Sequence, residues 1–72
     1  MDRTVKLLAV VALLRDLPEA GLERGQVGTV VEELAADVYE VEFNDDDGRT
    51  YASAAVEASQ LLPLRYEPAR TP

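Results

Sequence analysis

The sequence predicts a small all-β domain of five short strands, with a long first loop and one short helical turn. Three observations lead there. Residues 38–43 alternate apolar and acidic with a period of two, and the turn cluster Asn44-Asp45-Asp46-Asp47-Gly48 follows them directly. β-Branched runs also recur at short spacing with Gly or Pro between them. The chain has 72 residues, 47% of them apolar and 29% charged. That composition is too apolar for a disordered acidic tail, and a chain this short buries only about 60% of its unfolded surface. One domain over residues 1–65 is expected, followed by a flexible tail over 66–72 that contains Pro68 and Pro72.

The apolar run of residues 7–14 is apolar on every side, so periodicity alone does not assign it. Leu and Ala favour a helix, and a helix over residues 4–15 is the alternative. Val10-Val11 and the nearby Leu17-Pro18 favour a strand over residues 8–13. Residues 15–25 hold one Pro and two Gly with no sustained period. They form a long connecting loop, with Leu17 and Leu22 as anchors folded back over the core.

Residues 26–34 are β-branched behind Gly25 and read as a strand. Gly28 inside it marks a bulge or a close backbone approach. Ala35-Ala36-Asp37 makes a short turn. In residues 38–43, Tyr39, Val41 and Phe43 face the core while Glu40 and Glu42 face water. Gly48 closes the next turn in a left-handed conformation. Residues 49–55 return as a strand, with Tyr51, Ser53 and Ala55 on one face and Thr50, Ala52 and Ala54 on the other. Residues 56–60 make one helical or 3₁₀ turn. Residues 61–64 form a last short strand in which Pro63 needs an edge or terminal place. This is the pattern of a small SH3-like barrel, which closes a partly open sheet on itself and suits a chain without other staples.

With no Cys and no His, disulfides, thiolate or imidazole metal sites and Cys- or His-centred catalysis are excluded. Asp and Glu number 14 against 7 Lys and Arg, a net charge of −7. Nucleic acid and anionic membranes are drawn by clustered positive charge, whereas the six arginines here are scattered at 3, 15, 24, 49, 65 and 70. Arg3 ahead of the apolar run has the outline of a signal peptide. Yet eight apolar residues follow Lys6, against roughly 18 for a bilayer span. Arg15-Asp16 then stands where small cleavage-site residues belong. A cytoplasmic location is expected.

Asp45-Asp46-Asp47-Gly48 invites a calcium reading. Aligned on Gly48 as an EF-hand, the loop puts Phe43 and Ala54 where acidic ligands are required. Asp and Asn are also the residues that tight turns prefer, so a solvated turn with no metal is expected. Glu40 and Glu42, with Glu32 or Glu33 beside them, offer a paired-carboxylate acid/base site, which needs burial or a close like charge. Their outward placement favours a solvated sheet face instead. Gly25-Gln26-Val27-Gly28-Thr29 lacks the Gly-Lys-Ser/Thr ending and the long helix of a phosphate loop. Ser53 and Ser59 have no His, and Lys6 is the sole lysine, so nucleophilic catalysis has no base. No enzymatic activity and no cofactor are expected.

What remains is a binding surface. Glu40, Glu42, Asp45 and Asp46, with Tyr51 as an aromatic anchor, suit a partner protein with a basic surface. In the alternative, Tyr51 packs across the hairpin on Phe43 or Tyr39, and Tyr66 covers the barrel's open end. The chain is expected to be a monomer or a weak homodimer. An RNA- or ribosome-associated barrel and a homo-oligomeric structural subunit are the competing classes.

Three segments taken together also resemble one family. They are Val10-Val11-Ala12-Leu13 with Asp16-Leu17-Pro18; Gly25-Gln26-Val27-Gly28-Thr29-Val30-Val31-Glu32; and Tyr39-Glu40-Val41-Glu42-Phe43 with Asp47-Gly48-Arg49-Thr50. With Leu61-Leu62-Pro63, the resemblance covers about residues 7–64. It is to the small bacterial proteins of domain of unknown function 4926. Ala9 departs from the pattern, where an acidic residue is expected. The resemblance implies an SH3-type barrel, no established activity, no catalytic residue and no cofactor. It also suggests an antitoxin-like or immunity-like partner role.

Overall fold

Five strands form one antiparallel sheet: β1 (Val10–Leu13), β2 (Val27–Ala35), β3 (Val38–Asn44), β4 (Thr50–Glu57) and β5 (Leu61–Pro63). Their order across the sheet is β4-β3-β2-β1-β5. A 3₁₀ turn at Pro18–Ala20 sits in the long loop, and a second at Ala58–Gln60 joins β4 to β5. The computed structural model describes residues 5–66 and Pro68. Of the tail expected over 66–72, all but Tyr66 and Pro68 lies outside the described residues.

The second 3₁₀ turn decides the shape. Laid flat, the two edge strands would stand four spacings apart, about 19 Å. A three-residue 3₁₀ turn advances only about 6 Å. The sheet therefore rolls until β4 and β5 come together at that corner. The result is a partly open all-β barrel, with no ladder between the two edges.

Alternate residues of each strand line the interior. Val11 and Leu13 come from β1, Val30 from β2, Tyr39, Val41 and Phe43 from β3, Val56 from β4 and Leu61 from β5. In β4, Ala52 and Ala54 also face inward but are too small to fill the space above them. The long loop fills it. The Leu17 N–H donates to the Leu22 carbonyl at 2.8 Å and the Leu22 N–H to the Leu17 carbonyl at 3.0 Å. This clasp buries Leu22 fully and packs Leu17 against the same core as Ala52 and Ala54. Its 3₁₀ turn lies against β4. Pro63 occupies the edge strand β5, where a missing N–H is harmless.

Three expectations change. β1 starts at Val10 rather than at residue 8, because Leu8 takes a φ of 68° and turns the chain out of the extended form. Leu7 and Leu8 are consequently exposed, and Val5 enters the core in their place. No helix forms among residues 5–15. Residues 56 and 57 continue β4 instead of coiling, since Tyr39 and Val38 across the ladder hold them extended. Gly28 is not a bulge: its register with β3 runs unbroken to Val30. The irregularities lie between Val30 and Glu32, between Glu33 and Ala35, and between Phe43 and Asn44. Another lies at Gly25-Gln26, where both residues bond to Leu13. Gly28 serves the other expected purpose, a close backbone approach. Among the described residues, no helix is long and apolar enough to cross a membrane.

Candidate functional site

β3 lies between β2 and the edge strand β4, so its outward side chains are flanked by a strand on each side. Glu40 and Glu42 point away from the core as the alternation requires. Both are half-buried between their neighbours rather than fully in water, a correction to the sequence reading that follows from a strand pairing on each side of β3. Glu42 stands across from Thr29 on one side and Ser53 on the other. Glu40 stands across from Glu32 and Ala55.

Glu32 reaches this position through the irregularity after Val30. Strict alternation from the buried Val30 would send Glu32 inward, but the ladder skips Val31 and turns Glu32 out beside Glu40. Glu33 opposes Tyr39 instead. Of the two partner carboxylates considered from the sequence, Glu32 is the one paired with Glu40. Like charges directly opposite destabilise a sheet. Neither Glu40 nor Glu42 has a Lys or Arg as cross-strand neighbour to offset this.

The acidic turn follows. Asp45 and Asp46 are exposed. The Asp45 Oδ1 accepts the N–H groups of Asp47 at 2.9 Å and Arg49 at 3.0 Å. The Gly48 N–H donates to the Asp45 carbonyl, and Gly48 sits at a φ of 81°. Asn44 braces the other side, its Nδ2 donating to Thr50 Oγ1 at 2.9 Å. Asp45 is thus engaged in shaping the turn, while Asp46 adds charge at its tip. Among the described residues, no three carboxylates are arranged to hold a metal ion.

Tyr51 is 49% exposed, and its hydroxyl accepts from Gln26 Nε2 at 3.0 Å. Ala52 opposes Phe43 and Val56 opposes Tyr39, and the register skips Tyr51 between Thr50 and Ala52. Tyr66 is 72% exposed. The Tyr39 phenol is pushed above its ordinary value, first by burial and then by the carboxylates of Glu33 and Asp37.

Glu40 and Glu42 therefore share the outer face, with Asp45 and Asp46 on the turn that leads from β3 to β4 and Tyr51 exposed just after that turn, where the register skips it. Of the two carboxylates named from the sequence, the skipped Val31 selects Glu32, while Gln26, which bonds to Tyr51, lay outside the local pattern.

A family model described as domain of unknown function (DUF4926) matches residues 7–63. No curated protein and no solved structure matches the chain.

Proposed function

The chain belongs to the DUF4926 family, and on that premise we propose that it is a non-enzymatic, acidic protein-binding module of the cytoplasm. It docks a partner protein with a basic surface, in the manner of an antitoxin or immunity protein. One observation carries this reading: Glu32, Glu40 and Glu42 gather on one outer face, and among the described residues the β2–β3–β4 ladders pair none of them with a Lys or Arg. Repulsion among such carboxylates becomes attraction when a basic surface covers them, which steers association and makes the complex salt-sensitive. Tyr51, half-exposed near the start of β4, adds an amphipathic contact beside the acidic turn.

The test is a pull-down from the native host with the wild-type chain and with Glu40→Lys/Glu42→Lys, at low and high salt. Both side chains point away from the core, so the variant should remain folded. The expected result is a basic protein captured by the wild type, released by salt and lost in the variant. Equal recovery by both chains removes the acidic face from the reading, and recovery of RNA overturns the class.

A further inference from the structure

The two edges of the rolled sheet are unequal. β5 is three residues long and ends on Pro63, and short length and proline are the ordinary guards of an edge. β4 is eight residues long, from Thr50 to Glu57, with neither Pro nor Lys in it. Its one strand neighbour is β3, and among the described residues no backbone hydrogen bond joins its other edge to a loop. The ladder shows which groups are free. The Ala58 N–H donates to the Asp37 carbonyl at 2.8 Å, which makes Asp37 and Ala58 a hydrogen-bonded pair just beyond Val38 and Glu57. Antiparallel pairs alternate between bonded and non-bonded, and the register is unbroken from Val38 and Glu57 to Phe43 and Ala52. Val56, Ala54 and Ala52 therefore bond to β3, while Glu57, Ala55 and Ser53 turn their N–H and C=O groups outward.

We propose that this edge accepts an extended, basic segment of the partner as an added strand. The proposal rests on the acidic-module reading and names its mode of binding. The side chains select the occupant. Ser53 stands between the open edge and Glu42, and Ala55 between it and Glu40. Both are small, so nothing bulky separates an added strand from the two carboxylates. That strand would lie two spacings from β3, about 10 Å, a gap that an Arg or Lys bridges by laying its apolar stem over the small residue. Side chains alternate along a strand, so basic residues at every second position meet Glu42 and Glu40 in turn. A second copy of this chain fits less well, since its own β4 has no basic residue and each copy carries −7.

The probe is a synthetic peptide alternating Arg and Thr, with a peptide of the same composition in two blocks and one with Glu replacing Arg as controls. Amide hydrogen exchange of the full chain is the readout. The alternating Arg peptide should slow exchange at Ser53, Ala55 and Glu57 by about tenfold, the scale of one added hydrogen bond, with little change at Ala52, Ala54 and Val56. Ala55→Pro removes an N–H that β3 does not use and should weaken binding by about the same factor. Ala55→Lys should do so through charge and bulk, which keeps the test valid should the proline variant unfold. Binding lost in Glu40→Gln/Glu42→Gln but kept in both Ala55 variants, with no slowing at the three amides, overturns strand addition and leaves the acidic-module reading standing. Equal slowing by the Glu peptide overturns the basic occupant and that reading with it. Slowing that rises with protein concentration alone assigns the edge to a second copy and overturns the proposal, as does the absence of binding by all three peptides.

Discussion

Gly28 of β2 stands directly opposite Phe43 of β3. A Cβ added there would lie 2.7 Å from the Glu42 carbonyl oxygen, 2.7 Å from Val41 Cγ1 and 3.0 Å from Phe43 Cδ2. The backbone oxygen is part of the ladder and does not step aside, and Val41 and Phe43 are fully buried. Gly28→Ala should therefore lower stability by about 1–3 kcal/mol through overpacking. Chemical denaturation measures it, and an unchanged midpoint would mean that the two strands separate locally at no cost.

Asp45 and Asp46 are adjacent carboxylates with different work. Asp45 accepts two backbone N–H groups, and among the described residues Asp46 accepts none. Asp45→Ala should cost about 1 kcal/mol, whereas Asp46→Ala should stay within about 0.5 kcal/mol of wild type. Equal losses at the two positions in thermal melts would point to a shared ion instead of a turn.

The Glu32 and Glu40 pair makes a charge prediction. Glu32→Lys should stabilise the domain by about 0.2–1 kcal/mol, by replacing a like pair across the ladder with an opposite one. Added salt should raise the melting temperature of the wild type and shrink the gain of the variant. Calcium should do no more than magnesium at equal ionic strength, and a calcium-specific rise would revive an ion site at Asp45, Asp46 and Asp47.

Tyr39 sets an alkaline limit. Its phenol titrates above the ordinary value of 10.0 in the folded chain, so folding favours the neutral form. The stability this represents is complete below about pH 10 and is lost as pH rises through the raised folded value. Urea midpoints measured across that window should fall in the wild type and fall less in Tyr39→Phe. The same slope in both proteins would exclude Tyr39 as the cause.

Much of the architecture was legible locally. The alternation of Tyr39, Val41 and Phe43 with Glu40 and Glu42, the turn closing at Gly48, and the anchoring leucines 17 and 22 are all found where the pattern puts them. The two ends of the pattern were less legible. Residue 8 reads as the start of a strand, yet Leu8 is exposed outside it, because apolarity does not announce a residue that adopts positive φ. Residues 56 and 57 read as a turn but are strand, because their partners Tyr39 and Val38 lie about twenty residues away in the chain.

By itself the sequence determined the class and the candidate face. A period of two separates core from carboxylate on a strand, and the absence of His and Cys removes whole chemistries; both are properties of neighbours along the chain. Tertiary structure alone decided which carboxylates meet and which edge stays open. The skipped Val31 puts Glu32 opposite Glu40, and the 3₁₀ turn at Ala58–Gln60 rolls the sheet while β5, not β4, takes its place beside β1. Register and edge status are relations between distant strands, settled by the joint packing of both inner faces around Phe43, Val41 and Val30. No local spacing encodes them.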